Sequence, residues 1–321
     1  MQMNLYPFQF EPILKERIWG GTKLKTYLNK PISSEITGES WEISTVSNDV
    51  SIVNHGIFLG KSLNELIDLY PVEMLGKTVY ARFGKQFPLL FKYLDAREDL
   101  SIQLHPNDEL AKARHNSFGK TEMWYVMQAD ENARLIVGFK EDTSREEYLH
   151  HIENKKLISL LNEVPVKKGD VFFLETGTIH AIGAGIVIAE IQQTSDITYR
   201  IFDWDRVDAN GNERELHTEL ALDAINYKTT FAKKEYKSTE NKSTSLVDCP
   251  FFKTNIIPLN GELLIEKNDD SFMVFMCTEG SFELFLNDEK YTYQTGDTIL
   301  LPAVLTTFVI KGTATLLEIT V

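Results

Sequence analysis

Apolar and polar positions alternate over short stretches through most of the chain, and this two-residue period predicts strands. The clearest are 41–46, 121–126, 134–137, 170–174 and 282–286, all rich in β-branched or aromatic residues. A three-to-four-residue period is rarer. Ser62-Leu63-Asn64-Glu65 has the form of a capping box and predicts a helix running through Leu69. Asn107 or Asp108 is placed to cap a short helix through Arg114. Apolar residues at Tyr148, Ile152, Leu157, Ile158, Leu160 and Leu161 predict one helix or a pair over 144–161. A further helix is expected over 216–227.

The strand signal resumes after 232–245, which reads AKKEYKSTENKSTS and predicts a linker. Two units follow from this break: 1–235, carrying the helices, and 246–321, all β. The second is small for a domain but adequate for one β-barrel packed on a neighbour. Phe272, Val274, Phe275 and Leu300 are expected to point into its interior. The two units share an echo. The segment from Gly169-Asp170 to His180 can be laid on that from Gly296-Asp297 to Thr307. Both open on a Gly-Asp turn, run into an apolar strand and turn again. The metal-capable His180 falls opposite Thr307.

Composition narrows the function classes. The 321 residues carry 33 Lys plus Arg against 47 Asp plus Glu, a net charge of −14. Apolar residues at 43% and charged residues at 25% exclude disorder as the default state. Apolar runs such as 87–91 and 186–189 fall far short of the roughly 18 residues of a membrane span. The N-terminus lacks the basic start and apolar stretch of a signal peptide. The two cysteines, Cys249 and Cys277, form no CxxC pair, so a reducing cytoplasm is the expected compartment. The acidic excess argues against a nucleic-acid partner. A small anionic substrate would need a local basic pocket working against a repulsive global field.

Four residues stand out as candidate metal ligands. In Ser101-Ile102-Gln103-Leu104-His105, strand alternation puts Gln103 and His105 on one face and Ile102 and Leu104 on the other. Glu122 begins a predicted strand, and His180 follows a strand and turn. Two histidines, a carboxylate and an amide oxygen suit zinc or a similar divalent ion. The competing reading is ordinary: a histidine at a strand end is more often a hydrogen-bonded polar side chain. His150 and His151 diverge on a helix and read as a solvated face. His55 beside Gly56 reads as a turn. No HExxH is present.

Other polar residues interrupt apolar strands. Lys92 either snorkels outward or points into a polar cavity. Lys120 precedes Glu122 by two, so the pair faces the same way. Glu190, Asp196 and Arg200 share strand parity and one face if 189–200 is unbroken; on spacing alone, an ordinary surface strand with a salt bridge is slightly the better reading. Gly183-Ala184-Gly185 matches no phosphate loop.

Taken together, seven stretches resemble the type I mannose-6-phosphate isomerases in their shorter bacterial form. They are Ile18-Trp19-Gly20-Gly21, Gly38-Glu39-Ser40-Trp41-Glu42, Phe87-Pro88-Leu89-Leu90-Phe91-Lys92 and Gln103-Leu104-His105-Pro106-Asn107-Asp108, followed by Gly119-Lys120-Thr121-Glu122-Met123-Trp124-Tyr125, Gly177-Thr178-Ile179-His180-Ala181 and Ser195-Asp196-Ile197-Thr198-Tyr199-Arg200. They run in family order through the first two thirds of the chain, and the tail is matched more loosely.

The resemblance implies a mainly β fold of two cupin-like jelly-roll barrels, with a few short helices inserted in or around the first. It implies a zinc enzyme, one ion per chain, that interconverts D-mannose 6-phosphate and D-fructose 6-phosphate. The family's metal ligands fall on Gln103, His105, Glu122 and His180, and its catalytic arginine on Arg200. Further active-site positions, expected to bind substrate, fall on Lys92, Lys120, Glu190 and Asp196. The proton-transferring base stays open among Glu190, Asp196 and a lysine.

Elementary chemistry agrees with this set. Aldose–ketose isomerisation removes a proton beside a carbonyl and returns it to the neighbouring carbon. A divalent metal stabilises the charge that builds on oxygen, a carboxylate or lysine carries the proton, and cations hold the phosphate. Two rivals use the same pocket: a non-enzymatic cupin that senses a sugar phosphate, and a different metal-dependent cupin enzyme. The polar residues of 190–200 favour catalysis, since metal storage alone does not need them.

Overall fold

Strands dominate the computed structural model, which describes residues 5–207 and 211–321. The first four residues, where the predicted first unit begins, lie outside the described residues. In chain order the strands of the first two thirds are β1 (Ile13–Gly21), β2 (Thr37–Ile43), β3 (Thr45–Val46), β4 (Asp49–Val50), β5 (Leu89–Ala96), β6 (Ile102–Leu104), β7 (Glu122–Ala129), β8 (Arg134–Phe139), β9 (Leu161–Pro165), β10 (Val171–Leu174), β11 (His180–Ile182), β12 (Ile186–Gln193), β13 (Tyr199–Phe202) and β14 (Lys233–Lys234). The last third holds β15 (Thr244–Asp248), β16 (Lys253–Glu266), β17 (Met273–Leu286), β18 (Glu289–Gln294), β19 (Thr298–Leu301) and β20 (Thr307–Thr320).

Two antiparallel sheets occupy the first two thirds of the chain. One runs β1-β2-β5-β12-β7-β10-β14 and the other β13-β6-β11-β8-β9. The last third is a sheet of order β15-β16-β20-β17-β18, with β19 paired to β17. This is the mainly β, cupin-like architecture expected.

The seven-stranded sheet is a wall with two apolar faces. On one, Leu94, Trp124, Val126, Ile186 and Ile188 pack against Leu135, Val137 and Ile182 of the five-stranded sheet. On the other, Phe91, Tyr93, Ala189 and Ile191 pack with Phe272, Val274, Leu300, Leu317 and Ile319 of the last third. Continuous burial of β5 and β12 follows from this double cover, as expected for strands covered on both sides. The finding also corrects one expectation. Of the four residues predicted inside the second unit, Phe275 packs there. Alternation sends Phe272, Val274 and Leu300 to the shared wall instead.

Local signals resolve as follows. Ser62 Oγ accepts from the Glu65 N–H at 3.2 Å and Glu65 Oε2 accepts from the Ser62 N–H at 2.8 Å, closing the capping box before helix Leu63–Leu69. Asn107 caps helix Asp108–His115. The 144–161 pattern is a pair of helices, Arg145–Glu153 and Leu157–Leu160. Predicted strand 41–46 breaks at Ser44, whose N–H donates to Ser51 Oγ, and Thr45–Val46 turns away into a separate hairpin. Helix 216–227 shrinks to Thr218–Leu222. The predicted linker is ordered at its start: Lys233 and Lys234 pair with Phe172 and Val171 at the sheet edge. Exposed edge strands carry lysine for good reason, which explains why the segment reads as polar.

The Gly-Asp echo is structural. Gly169 (φ 89°) and Gly296 (φ 93°) both take the left-handed backbone. Asp170 Oδ2 accepts from the Lys167 N–H at 3.1 Å, and Asp297 Oδ2 from the Gln294 N–H at 2.8 Å. Among the described residues, no helix is long and apolar enough to cross a membrane.

Candidate active site

Four strands of the seven-stranded sheet place one residue each in a straight cross-strand row. Trp41 on β2 pairs with Lys92 on β5, Lys92 with Glu190 on β12, and Glu190 with Trp124 on β7. Paired residues of an antiparallel sheet share a face, and this face lines a cavity of about 640 Å³ between the two sheets. Lys92 Nζ lies 3.3 Å from Glu190 Oε1 and 4.7 Å from the Trp41 ring centroid. Trp124 Nε1 donates to Glu190 Oε2 at 2.8 Å. Burial alone would raise the Glu190 carboxyl. The charges of Lys120 and Lys92 and the Trp124 N–H outweigh it and hold the group below its ordinary range, so Glu190 is ionised at neutral pH.

His105, Glu122 and His180 come together beneath this row, all buried, with one ligand atom of each within 4.8 Å of the others. His105 Nδ1 lies 2.8 Å from the Ile197 carbonyl, and His180 Nδ1 lies 2.9 Å from that of Thr178. A carbonyl only accepts, so each Nδ1 carries the proton and each Nε2 presents a lone pair. Burial, followed by the Lys120 charge, lowers His105 well below its usual range and pushes His180 down to about 4, so both rings are neutral at pH 7. His180 Nε2 and Glu122 Oε1 are buried polar atoms without a hydrogen-bond partner. They are 3.4 Å apart. Such orphaned atoms are costly in a folded protein. Burial, helped by the nearby Glu190 charge, pushes the Glu122 carboxyl up to about 7 even with the Lys120 ammonium in contact. Two neutral imidazoles and a carboxylate, with the His180 Nε2 and Glu122 Oε1 lone pairs unused, fit a divalent cation.

Gln103 lines the same cavity while Ile102 and Leu104 pack in the cluster on the outer face of their sheet, as alternation predicts. Glu190, Asp196 and Arg200 all line the cavity, but not from one strand. The chain leaves β12 at Gln193 and enters β13 at Tyr199, crossing from one sheet to the other. The three residues therefore face the cavity from different sides. Lys120 lies 3.1 Å from His105 Nε2 and contacts Glu122.

Arginines gather at the cavity. Arg214 and Arg206 together saturate Asp203, and Arg17 Nε donates to Glu39 Oε1 at 2.9 Å. Arg200 pairs with no carboxylate among the described residues; its Nη1 donates to the Glu215 carbonyl at 2.9 Å.

Sequence reasoning missed Arg17, Glu39, Trp41, Ser101 and Arg214, all of which line the cavity. Glu39 and Trp41 stood within one of the stretches that carry the resemblance, two residues apart, and their strand spacing was the available signal. Arg214 carried none. Glu39 is buried against Arg17 and Trp41 Nε1. Burial would raise its carboxyl, but Lys92, Arg17 and these hydrogen bonds pull it down to about 2.

Comparison with known proteins is consistent along the chain. Residues 8–134 match the model for the phosphomannose isomerase type I catalytic domain, and residues 242–321 that for the mannose-6-phosphate isomerase cupin domain. The mannose-6-phosphate isomerase ManA of Bacillus subtilis is 37% identical over 316 residues, covering 97% of this chain and 98% of its own. The mannose-6-phosphate isomerase of Streptococcus mutans is 36% identical, covering 95% of each. A crystal structure of the mannose 6-phosphate isomerase from Bacillus subtilis superposes with a TM-score of 0.91 at 36% identity, covering 99% of this chain and 100% of that one.

Proposed function

Since the chain belongs to the phosphomannose isomerase type I family, we propose that it interconverts D-mannose 6-phosphate and D-fructose 6-phosphate at the cavity between its first two sheets. One observation carries the reading: the Lys92–Glu190 pair lines the same cavity as His180 of the buried His105, Glu122 and His180 cluster, and Lys120 stands between Glu190 and Glu122. A proton carrier and a cation site thus meet at one small volume.

We assign the cation site to His105, Glu122 and His180, with Gln103 as a fourth ligand, and zinc as the ion, one per chain. When bound there, it supplies Lewis-acid stabilisation to negative charge developing on the substrate's oxygens. Glu190, held ionised, is the base that this arrangement offers. Its carboxylate takes the proton from the carbon beside the aldehyde and returns it to the former carbonyl carbon, while the hydroxyl proton on the carbon first deprotonated passes to the former aldehyde oxygen. Lys92 and Lys120 flank Glu190 Oε1 at 3.3 and 4.0 Å. They bind the sugar's oxygens and keep the carboxylate oriented. Arg200, free of any carboxylate among the described residues, meets the anionic reacting group. Arg17 and Arg214 give the same cavity the local positive charge that a phosphate needs on a chain of net charge −14. Asp196 contributes hydrogen bonds to the sugar. Residues 1–235 form the catalytic unit and 246–321 a metal-free structural unit, and the protein works in the cytoplasm.

One purified sample tests this. Mannose 6-phosphate should be converted to fructose 6-phosphate at a rate that tracks bound zinc. Tight binding of the sugar phosphate without turnover would instead identify a sensor.

A further inference from the structure

Resting on the isomerase reading above, we propose that Trp41 and Trp124 are positioning residues that hold the Lys92–Glu190 pair in one alignment over the cavity. The four side chains occupy one register row on adjacent strands, in the order indole, ammonium, carboxylate, indole. All four are nearly inaccessible to solvent, with relative exposures of 4%, 6%, 3% and 1% along the row.

Each tryptophan governs one member of the pair. A lysine ammonium is a flexible point charge on a four-carbon stem. Left with Glu190 alone, it would close directly on the carboxylate. The Trp41 ring attracts it from the other side through its π face, and Nζ rests 4.7 Å from that ring and 3.3 Å from Glu190 Oε1. Trp41 is itself fixed, because its Nε1 donates to Glu39 Oε2 at 2.6 Å and Arg17 grips the same carboxylate. On the other side, the Trp124 N–H engages Glu190 Oε2 at 2.8 Å. That leaves Oε1 to face Lys92 and Lys120, so one oxygen serves structure and the other, flanked by the two ammoniums, is the one that takes the proton. Trp124 is held in turn by edge-on packing against His180, with ring centroids 5.3 Å apart. A residue that only filled volume would need neither the π face nor the N–H.

The test separates these properties. Trp41→Leu keeps apolar bulk without a π face, Trp41→Phe restores a π face, and Trp124→Phe keeps a ring without the N–H. Turnover, KM for mannose 6-phosphate, bound metal and thermal midpoint are measured for each beside the unmodified protein. Trp41→Leu should lose turnover by about 10²-fold, the cost of misplacing a catalytic group by about an ångström, with KM raised by less than in Lys92→Ala and metal content unchanged. Trp41→Phe should recover most of that loss. Trp124→Phe should lose about tenfold in turnover, again with normal metal content. Equal turnover in Trp41→Leu and Trp41→Phe, a change confined to KM, or losses that follow metal content would overturn the proposal. If Trp41→Leu does not fold, the comparison rests on the two phenylalanine variants: Trp124→Phe should be the slower, and equal turnover overturns the proposal. An unmodified protein without isomerase activity would overturn the functional reading itself, a result distinct from all of these.

Discussion

Arg200 lies directly across the β-ladder from Gln103, and a single hydroxyl joins them: Arg200 Nε donates to Ser101 Oγ at 3.3 Å, and that hydroxyl lies 3.2 Å from Gln103 Oε1. The arginine thus sits closer to the candidate ligands than its position ten residues beyond Glu190 implies. It still touches none of His105, Glu122 or His180, so its removal leaves the buried three-atom cluster intact. Arg200→Ala is expected to retain its metal and fold and to lose turnover by ~10²–10³, the usual cost of one preorganised contact to developing charge. A variant with near-normal turnover and a raised KM would mark a phosphate-holding role, because uniform binding affects KM alone. Lys92→Ala and Lys120→Ala should lower both binding and rate.

Metal content gives the second prediction. Elemental analysis should find one zinc per chain, removed reversibly by chelator with loss of activity. His180→Ala should bind none. The second unit has Thr307 where the first has His180, and the chain carries no histidine after His217. Two tightly bound ions per chain would contradict the assignment.

Glu39 sets a pH dependence of stability. Its folded carboxyl titrates at about 2 against an ordinary 4.5. A depressed acid contributes stability that is present above its unfolded value and is lost as pH falls through the folded value. At 1.36 kcal/mol per unit, the group is worth about 3 kcal/mol at neutral pH. Glu39→Gln should therefore lower the urea midpoint at pH 7, and its stability should fall less steeply than that of the unmodified protein between pH 4.5 and 2. Parallel curves would show that Arg17 and Lys92 do not hold Glu39 ionised.

Truncation after Lys242 should yield an aggregating fragment. It strips Phe272, Val274, Leu300, Leu317 and Ile319 from the wall that carries Phe91, Tyr93 and Ile191. Each large apolar side chain so exposed costs roughly 1.5–3 kcal/mol. Light scattering and activity of the fragment check this; a soluble, fully active fragment would show that the second unit is dispensable.

Where the chain follows local rules, the sequence was readable. The Ser62 capping box, the Asn107 cap and the Ile102–Leu104 alternation all depend on residues within a few positions of one another. So did the facing of Gln103 toward the cavity. The errors share a cause in contacts between distant segments. Strand 41–46 breaks because Ser51 captures the Ser44 N–H. The helix expected over 216–227 stops early, and beyond it the Asn226 N–H donates to the Gly177 carbonyl. Glu190 and Arg200 share parity, yet reach the cavity from opposite sheets. Phe272, Val274 and Leu300 were expected inside the second unit and instead pack on the seven-stranded sheet, since alternation reports that a face is buried but not what buries it. The Trp41–Lys92–Glu190–Trp124 row was invisible for the same reason, as register between strands so far apart in sequence is set by the whole sheet.

The matched Gly-Asp turns lead to different surroundings. Gly169 and Gly296 adopt the same backbone, the following aspartates accept the same type of bond, and a histidine stands at the end of one segment where a threonine stands at the end of the other. The same local solution occurs twice, a glycine in the left-handed region and an aspartate that closes the turn, under different constraints. The first ends at His180, in the buried cluster with His105 and Glu122, and the second places Leu300 on the shared wall. Drift should then be uneven among relatives. Substitutions should accumulate on those faces of the second unit that turn away from Phe91 and Tyr93, while Phe272, Val274 and Leu300 change slowly without ever meeting a substrate.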